Sequence, residues 1–167
     1  CEIGIESNWE GNIIVVKPLY EIKNSIITVE SDWSSASYYY SLAALSPEAT
    51  ITLNSYKKAS LQGDAVLAKI YEHFGVKTVF KNELITLIKE NTTKQLLPLS
   101  LDLKNAPDIA QTIAVTCFGL GISCDLSGLH TLKIKETDRL VALKNELEKL
   151  GGEVEITDKS LHLKASK

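Results

Sequence analysis

The sequence predicts an α/β fold built from two copies of a β-α-β-α-β-β unit. Three observations lead there. Short apolar runs of strand length alternate with longer runs of helical period, and the same order of runs occurs twice. Residues also correspond between the copies at one offset: Leu67, Tyr71, Phe74 and Gly75 with Leu143, Leu147, Leu150 and Gly151, and Phe80 with Ile156. A period of roughly 70 residues exceeds that of common solenoid repeats, so the copies read as subdomains.

In the first copy, residues 26–29 read as a strand and residues 34–45 as an apolar helix, for which Asp32, Ser34 and Ser35 offer cap oxygens. Residues 50–53 read as a strand. Residues 63–74 follow as a helix with Leu67, Ile70, Tyr71 and Phe74 on one face and Gly75 as its stop. Strands near 78–80 and 84–88 complete the copy. The second copy repeats this order, with a strand at 99–103 and a helix from Pro107 to about residue 119, proline suiting the first turn. A strand at 124–127 comes next. The helix 138–150 carries Leu140, Leu143, Leu147 and Leu150 as a stripe and stops at Gly151-Gly152, before strands near 154–156 and 161–163. Residues 1–16 read as the last hairpin of a preceding copy, with Asn8, Gly11 and Asn12 supplying the turn. The expected organisation is a closing hairpin in 1–26, one unit in 27–95 and another in 96–167, forming one compact domain. The lack of any Met, with Cys1 opening directly into strand-like residues, suggests a piece of a longer chain.

With 167 residues, 44% apolar and 23% charged, the composition is that of a soluble globular protein. A net charge of -3 and a pI near 5.7 give no global attraction to nucleic acid or anionic membrane, so any anion site must be local. Three cysteines, at 1, 117 and 124, suit neither a disulfide framework nor a metal knuckle, and fit a reducing cytoplasm. Cys117, on an apolar helix, reads as core, and Trp9 and Trp33 as packing residues. His73, His130 and His162 lack metal-ligand spacing, although His130, just before a charged run, can line a site.

That charged run is Lys133-Ile134-Lys135-Glu136-Thr137-Asp138-Arg139, at a helix mouth. Free amides and the helix dipole attract anions there, and Lys135 and Arg139, four apart, can converge on one phosphate or carboxylate. Glu136, among cations, is expected ionised and able to relay a proton. Charge pattern alone equally fits a solvated first turn. Asp108, opening the apolar helix after Pro107, is either a helix cap or a base with a raised pKa. Residues 34–37, Ser-Ser-Ala-Ser, lack a nucleophile elbow and read as close-packing residues, and Gln62-Gly63-Asp64 as a turn and helix start.

Residues 29–38 (Val-Glu-Ser-Asp-Trp-Ser-Ser-Ala-Ser-Tyr), Pro107-Asp108 and Lys135-Glu136-Thr137-Asp138-Arg139-Leu140 together resemble 5-enolpyruvylshikimate-3-phosphate synthases, with Gln62-Gly63-Asp64 a weaker match. Order and spacing agree over essentially the whole chain. The resemblance implies an enolpyruvyl transferase-like fold of two domains, each with three β-α-β-α-β-β units, and an active site in the cleft between them. This chain would then be most of the second domain. It implies transfer of the enolpyruvyl group of phosphoenolpyruvate to the 5-hydroxyl of shikimate 3-phosphate, with loss of phosphate and no metal or organic cofactor. By position, Asp108 becomes an acid/base group touching the shikimate ring, and Glu136 its partner at the enolpyruvyl methylene. Lys135 would contact shikimate 3-phosphate, Arg139 phosphoenolpyruvate, and Thr131 the substrate in place of an Asn. Ser31 stands where the family has Gly and Lys133 where it commonly has Arg. The first domain, expected as a partner, is absent from the sequence, so the piece alone is expected to be inactive. A UDP-N-acetylglucosamine enolpyruvyl transferase would lack the Lys-Glu-Thr-Asp-Arg run, an RNA 3'-phosphate cyclase would need a basic stripe, and a noncatalytic binding module would use the anion pocket alone.

Overall fold

The computed structural model describes residues 4–21, 24, 26–90 and 96–166. The chain divides into two compact units, Cys1–Glu30 and Ser31–Lys167. The smaller holds an antiparallel hairpin of β1 (Ser7–Glu10) and β2 (Ile13–Val16), turning at Gly11-Asn12 with Gly11 at φ 62°. Asn8 lies inside β1 opposite Val15, not in the turn, and Trp9 is exposed rather than packed.

In the larger unit, α1 (Trp33–Leu45) is followed by β3 (Thr50–Asn54), α2 (Leu67–Ile70), β4 (Val76–Lys81) and β5 (Leu84–Lys89). These strands form one antiparallel sheet in the order β3-β5-β4. Then come β6 (Leu99–Asp102), α3 (Ala110–Gly119), β7 (Cys124–Ser127), α4 (Arg139–Lys149), β8 (Val154–Ile156) and β9 (Leu161–Leu163). The second sheet runs β6-β7-β9-β8, with β6 and β7 parallel and the other pairs antiparallel.

The expected strand at 26–29 is absent: among the described residues, 26–30 join no ladder, and Ile26 and Val29 stand exposed. Strand pairing rests on cross-strand neighbours and a covered face, and these residues have neither. One bond of the missing ladder persists, the Ser31 amide donating to the Ser55 carbonyl at 2.7 Å as Leu103 does to Ser127 at 2.9 Å. The helix expected at 63–74 is α only over α2, with 3-10 turns at Gly63–Val66 and Tyr71–Phe74. Burial of Leu67, Ile70, Tyr71 and Phe74 holds these short turns, since four residues are too few for a self-supporting helix. Gly75 ends the segment at φ 74° and Gly151 ends the matching one at φ 89°. Leu150, expected on the apolar stripe of α4, is exposed because the helix has already ended.

α1 and α3 form the interior, packed against each other between the two sheets' halves of the core. α1 buries Trp33, Ala36, Tyr40, Ala43 and Ala44, and α3 buries Ile113, Ala114 and Cys117. Their small residues admit a polar seam in which Thr116 Oγ1 lies 2.8 Å from Ser41 Oγ and 3.0 Å from the Tyr71 hydroxyl. Burial raises the Tyr71 hydroxyl above its usual pKa, so it stays neutral in this seam. Among the described residues, no helix is long and apolar enough to cross a membrane.

Asp32 caps α1, its Oδ1 accepting from the Ser34 amide at 2.9 Å and its Oδ2 from Ser35 Oγ at 2.8 Å. Burial pushes the Asp32 carboxyl up, but these hydrogen bonds together outweigh it and hold the group below its ordinary range. A depressed folded-state pKa stabilises the fold above the ordinary carboxylate range, and this contribution is lost as pH falls through the lowered value. Asp32→Ala is therefore expected to cost about 0.5–2 kcal/mol at neutral pH. Denaturant unfolding at several pH values checks this: the gap from wild type should narrow in acid.

Candidate active site

Two helix starts bring the charged residues together. Asp108 sits in a 3-10 turn, Pro107–Ile109, that leads into α3 and is anchored by buried Ile109 and Ile113. Asp138 caps α4, its Oδ1 accepting from the Leu140 and Val141 amides at 3.1 Å each, which makes Arg139 the first helical residue. Lys135 and Glu136 precede it in the linker after a second 3-10 turn, His130–Ile134. Asp138 is thus spent on the backbone, leaving its neighbours to face Asp108.

Arg139 Nη1 donates to Asp108 Oδ1 at 3.2 Å, and Nη2 to Glu136 Oε2 at 2.7 Å. Lys135 Nζ lies 3.2 Å from Asp108 Oδ1 and 3.3 Å from Oδ2. Four of the five residues singled out in the sequence, Asp108, Lys135, Glu136 and Arg139, therefore form one network. The Glu136 carboxyl is held below its ordinary range, first by its own backbone amide and then by Arg139. The side chains of Asp108 and Arg139 are 35% and 24% exposed, and that of Glu136 is 79% exposed. Pairs this open are screened by water and contribute little, so an arriving anion can displace them at little cost.

Beside the network is a cavity of ≈430 Å³. Asp108, Gln111, Thr112 and Arg139 line one side, and Asp32, Ser34, Ser35, Ser37 and Tyr38 from the start of α1 line the other. Lys135 and Glu136 are tied to it through their ion pairs rather than by lining it. Thr131 lies in the 3-10 turn with its Oγ1 buried and lacking a partner among the described residues, and it does not line this cavity. His130 is exposed at the start of that turn, and Lys133 is paired with Asp158. Among the described residues, no group of three His, Cys, Asp or Glu side chains is placed to hold a metal.

The sequence predicts Ser34 and Ser35 as cap oxygens and residues 34–37 as close-packing residues; their place on the cavity is a finding of the fold. The sequence signal was present in Asp32-Trp33-Ser34-Ser35, a cap whose hydroxyls exceed what capping needs. Gln62-Gly63-Asp64 also does more than turn the chain. Gln62 Oε1 accepts from the Trp33 amide at 2.9 Å and its Nε2 donates to the Ser31 carbonyl at 2.9 Å, pinning the start of α1. A Cβ on Gly63 would lie 2.1 Å from the Asn105 carbonyl oxygen, in the loop that delivers Asp108. Because the obstacle is backbone, Gly63→Ala is expected to destabilise by about 1–3 kcal/mol. Chemical denaturation measures it, and a loss below about 0.5 kcal/mol would show that the loop yields freely.

The model of the family described as EPSP synthase (3-phosphoshikimate 1-carboxyvinyltransferase) matches residues 1–167. A 3-phosphoshikimate 1-carboxyvinyltransferase of Bacteroides fragilis strain YCH46 is 41% identical over 150 residues, 90% of this chain and 36% of that protein. Another, from Bacteroides fragilis strain ATCC 25285, is 48% identical over 124 residues, 74% of this chain and 30% of that protein. The chain thus spans about a third of the length of these relatives. Among solved structures, an EPSP synthase from Acinetobacter baumannii superposes with a TM-score of 0.77 at 20% identity, covering 99% of this chain and 39% of that one, a likeness of fold. With the family model matched from end to end and the α/β architecture shared, the chain belongs to the EPSP synthase family.

Proposed function

We propose that this chain supplies one wall of the active site of an enzyme that transfers the enolpyruvyl group of phosphoenolpyruvate to the 5-hydroxyl of shikimate 3-phosphate, releasing phosphate. The observation that carries this reading is the network of Asp108, Lys135, Glu136 and Arg139 beside an open, polar cavity. Two cations held by weak, half-open ion pairs suit two anionic substrates, and a guanidinium can grip an oxyanion by two parallel bonds. In this reading Lys135 meets the phosphate of shikimate 3-phosphate and Arg139 meets phosphoenolpyruvate. Thr131 enters this reading as a substrate contact by its position in the resemblance alone, since its buried hydroxyl does not line the cavity.

The reaction adds an alcohol oxygen to C2 of phosphoenolpyruvate while a proton reaches C3, then expels phosphate as C3 returns a proton. Asp108 takes the hydroxyl proton as the new C–O bond forms. Glu136 serves the methylene carbon. Held ionised at rest by its own backbone amide and by Arg139, it gains proton affinity when phosphoenolpyruvate competes for that guanidinium, takes up a proton from solvent, gives it to C3 in the addition and takes one back from C3 in the elimination. No step calls for a metal or an organic cofactor.

In this reading the remaining phosphate-binding groups lie in the part of the longer relatives that this chain does not cover, so the chain by itself is inactive. The two sheets of the larger unit with their helices support treating residues 27–95 and 96–167 as repeated units. The buried thiols of Cys117 and Cys124 are consistent with a reducing cytoplasm. A noncatalytic module would instead bind anions on its own. Joining the chain to the segments that complete its relatives, hereafter the assembled enzyme, and measuring phosphate release from the two substrates tests the reading. Tight binding of shikimate 3-phosphate by the chain alone would contradict the cleft.

A further inference from the structure

Asp64 stands behind the cavity wall and takes no part in the proton transfers above. Ser34, in the first turn of α1, lines the cavity and donates its hydroxyl proton to Asp64 Oδ2. A serine hydroxyl has one proton and two lone pairs. With the proton committed to Asp64, Ser34 turns acceptor lone pairs toward the cavity. Ser35 does the same, its Oγ donating to Asp32 Oδ2 at 2.8 Å, while Asp32 Oδ1 already occupies the Ser34 amide. The mouth of α1, where a helix ordinarily offers donors to an anion, here offers acceptors.

We infer that Asp64, acting through Ser34, is a positioning and specificity residue: it makes this wall accept a hydrogen bond from an alcohol hydroxyl of the acceptor substrate and turn away anionic oxygen. The anionic oxygens are left to Arg139, which lines the other side of the cavity, and to Lys135, paired with Asp108 beside it. Asp64 and Ser34 depend on each other. Burial, with the charges of Asp108 and Asp32, pushes the Asp64 carboxyl up, while the Ser34 hydrogen bond and Lys135 oppose this and favour the ionised form that accepts the serine proton. Gly63 and Gln62 place the pair, one by its fit against Asn105 and the other by its hold on the start of α1.

This inference rests on the proposed function, and the two substrates of that function separate it from mere structure. Shikimate 3-phosphate carries ring hydroxyls that can donate to Ser34, and phosphoenolpyruvate carries none. In the assembled enzyme, with each substrate varied in turn, Ser34→Ala is expected to raise KM for shikimate 3-phosphate about 5–10-fold and to leave KM for phosphoenolpyruvate unmoved. Ser34→Thr, which keeps the hydroxyl, should restore most of the loss. Asp64→Asn should act in the same direction and add little in a Ser34→Ala background, because the two residues form one device. Equal changes in both KM values, additive effects or no rescue by threonine would overturn the inference. An active wild type with unmoved variants defeats the inference alone, whereas a wild type that releases no phosphate defeats the functional reading and the inference with it.

Discussion

Asp108→Asn is expected to lower kcat for phosphate release by the assembled enzyme by about 10²–10⁴-fold, and Glu136→Gln by a similar factor. Both substitutions keep the size and shape of the side chain. What they remove is a group able to take a proton. Asp108 sits within 3.2–3.3 Å of Lys135 and Arg139, so the amide also weakens the grip on both cations, and a rise in KM should accompany the loss of kcat. Glu136 is mostly exposed and contacts only Arg139 among the pairs described above, so its substitution should change kcat with little effect on the fold. The measurement is steady-state phosphate release, with thermal unfolding as a check on structure. If both variants kept the full rate, the assignment of proton transfer to this network would fail.

Trp33→Ala is expected to cost about 3–5 kcal/mol of stability. Trp33 is fully buried as the first residue of α1, edge-on to Tyr56 with ring centroids 5.1 Å apart and 6.3 Å from Phe80. The void left by alanine would lie beneath Ser34 and Ser35, so the serine wall of the cavity should loosen along with the core. Urea unfolding of the chain gives the size of the effect. A loss under about 1 kcal/mol would mean that Tyr56 and Phe80 close the gap, and the site would then be less dependent on this anchor.

Much of the fold was legible because hydrophobic period survives in single residues. The stripe Leu140, Leu143 and Leu147 is buried on α4, and Gly75 and Gly151 both stop their segments at positive φ. Where the reading failed, tertiary context decided. Residues 26–29 have strand composition, yet no described strand pairs with them and they remain irregular. Leu150 keeps the spacing of the stripe but falls beyond the end of the helix, and Asn8 suits a turn yet pairs across a ladder. In the site, the run from Lys135 to Arg139 and Asp108 stood out by charge at helix starts. The serines of α1 did not, because a small residue that packs and a small residue that lines a cavity look the same in one dimension.

The sequence by itself determined the α/β class and the identity of the charged groups, because periodicity, caps and helix stops are local properties that neighbours along the chain impose. Only the tertiary structure decided that Lys135 and Arg139 share Asp108, that Ser34 gives its proton to Asp64, and that Gly63 must lack a side chain beside Asn105. These contacts join residues 27 to 42 positions apart, and such pairings follow from how α1, α3 and α4 pack around a common core, which no local pattern encodes.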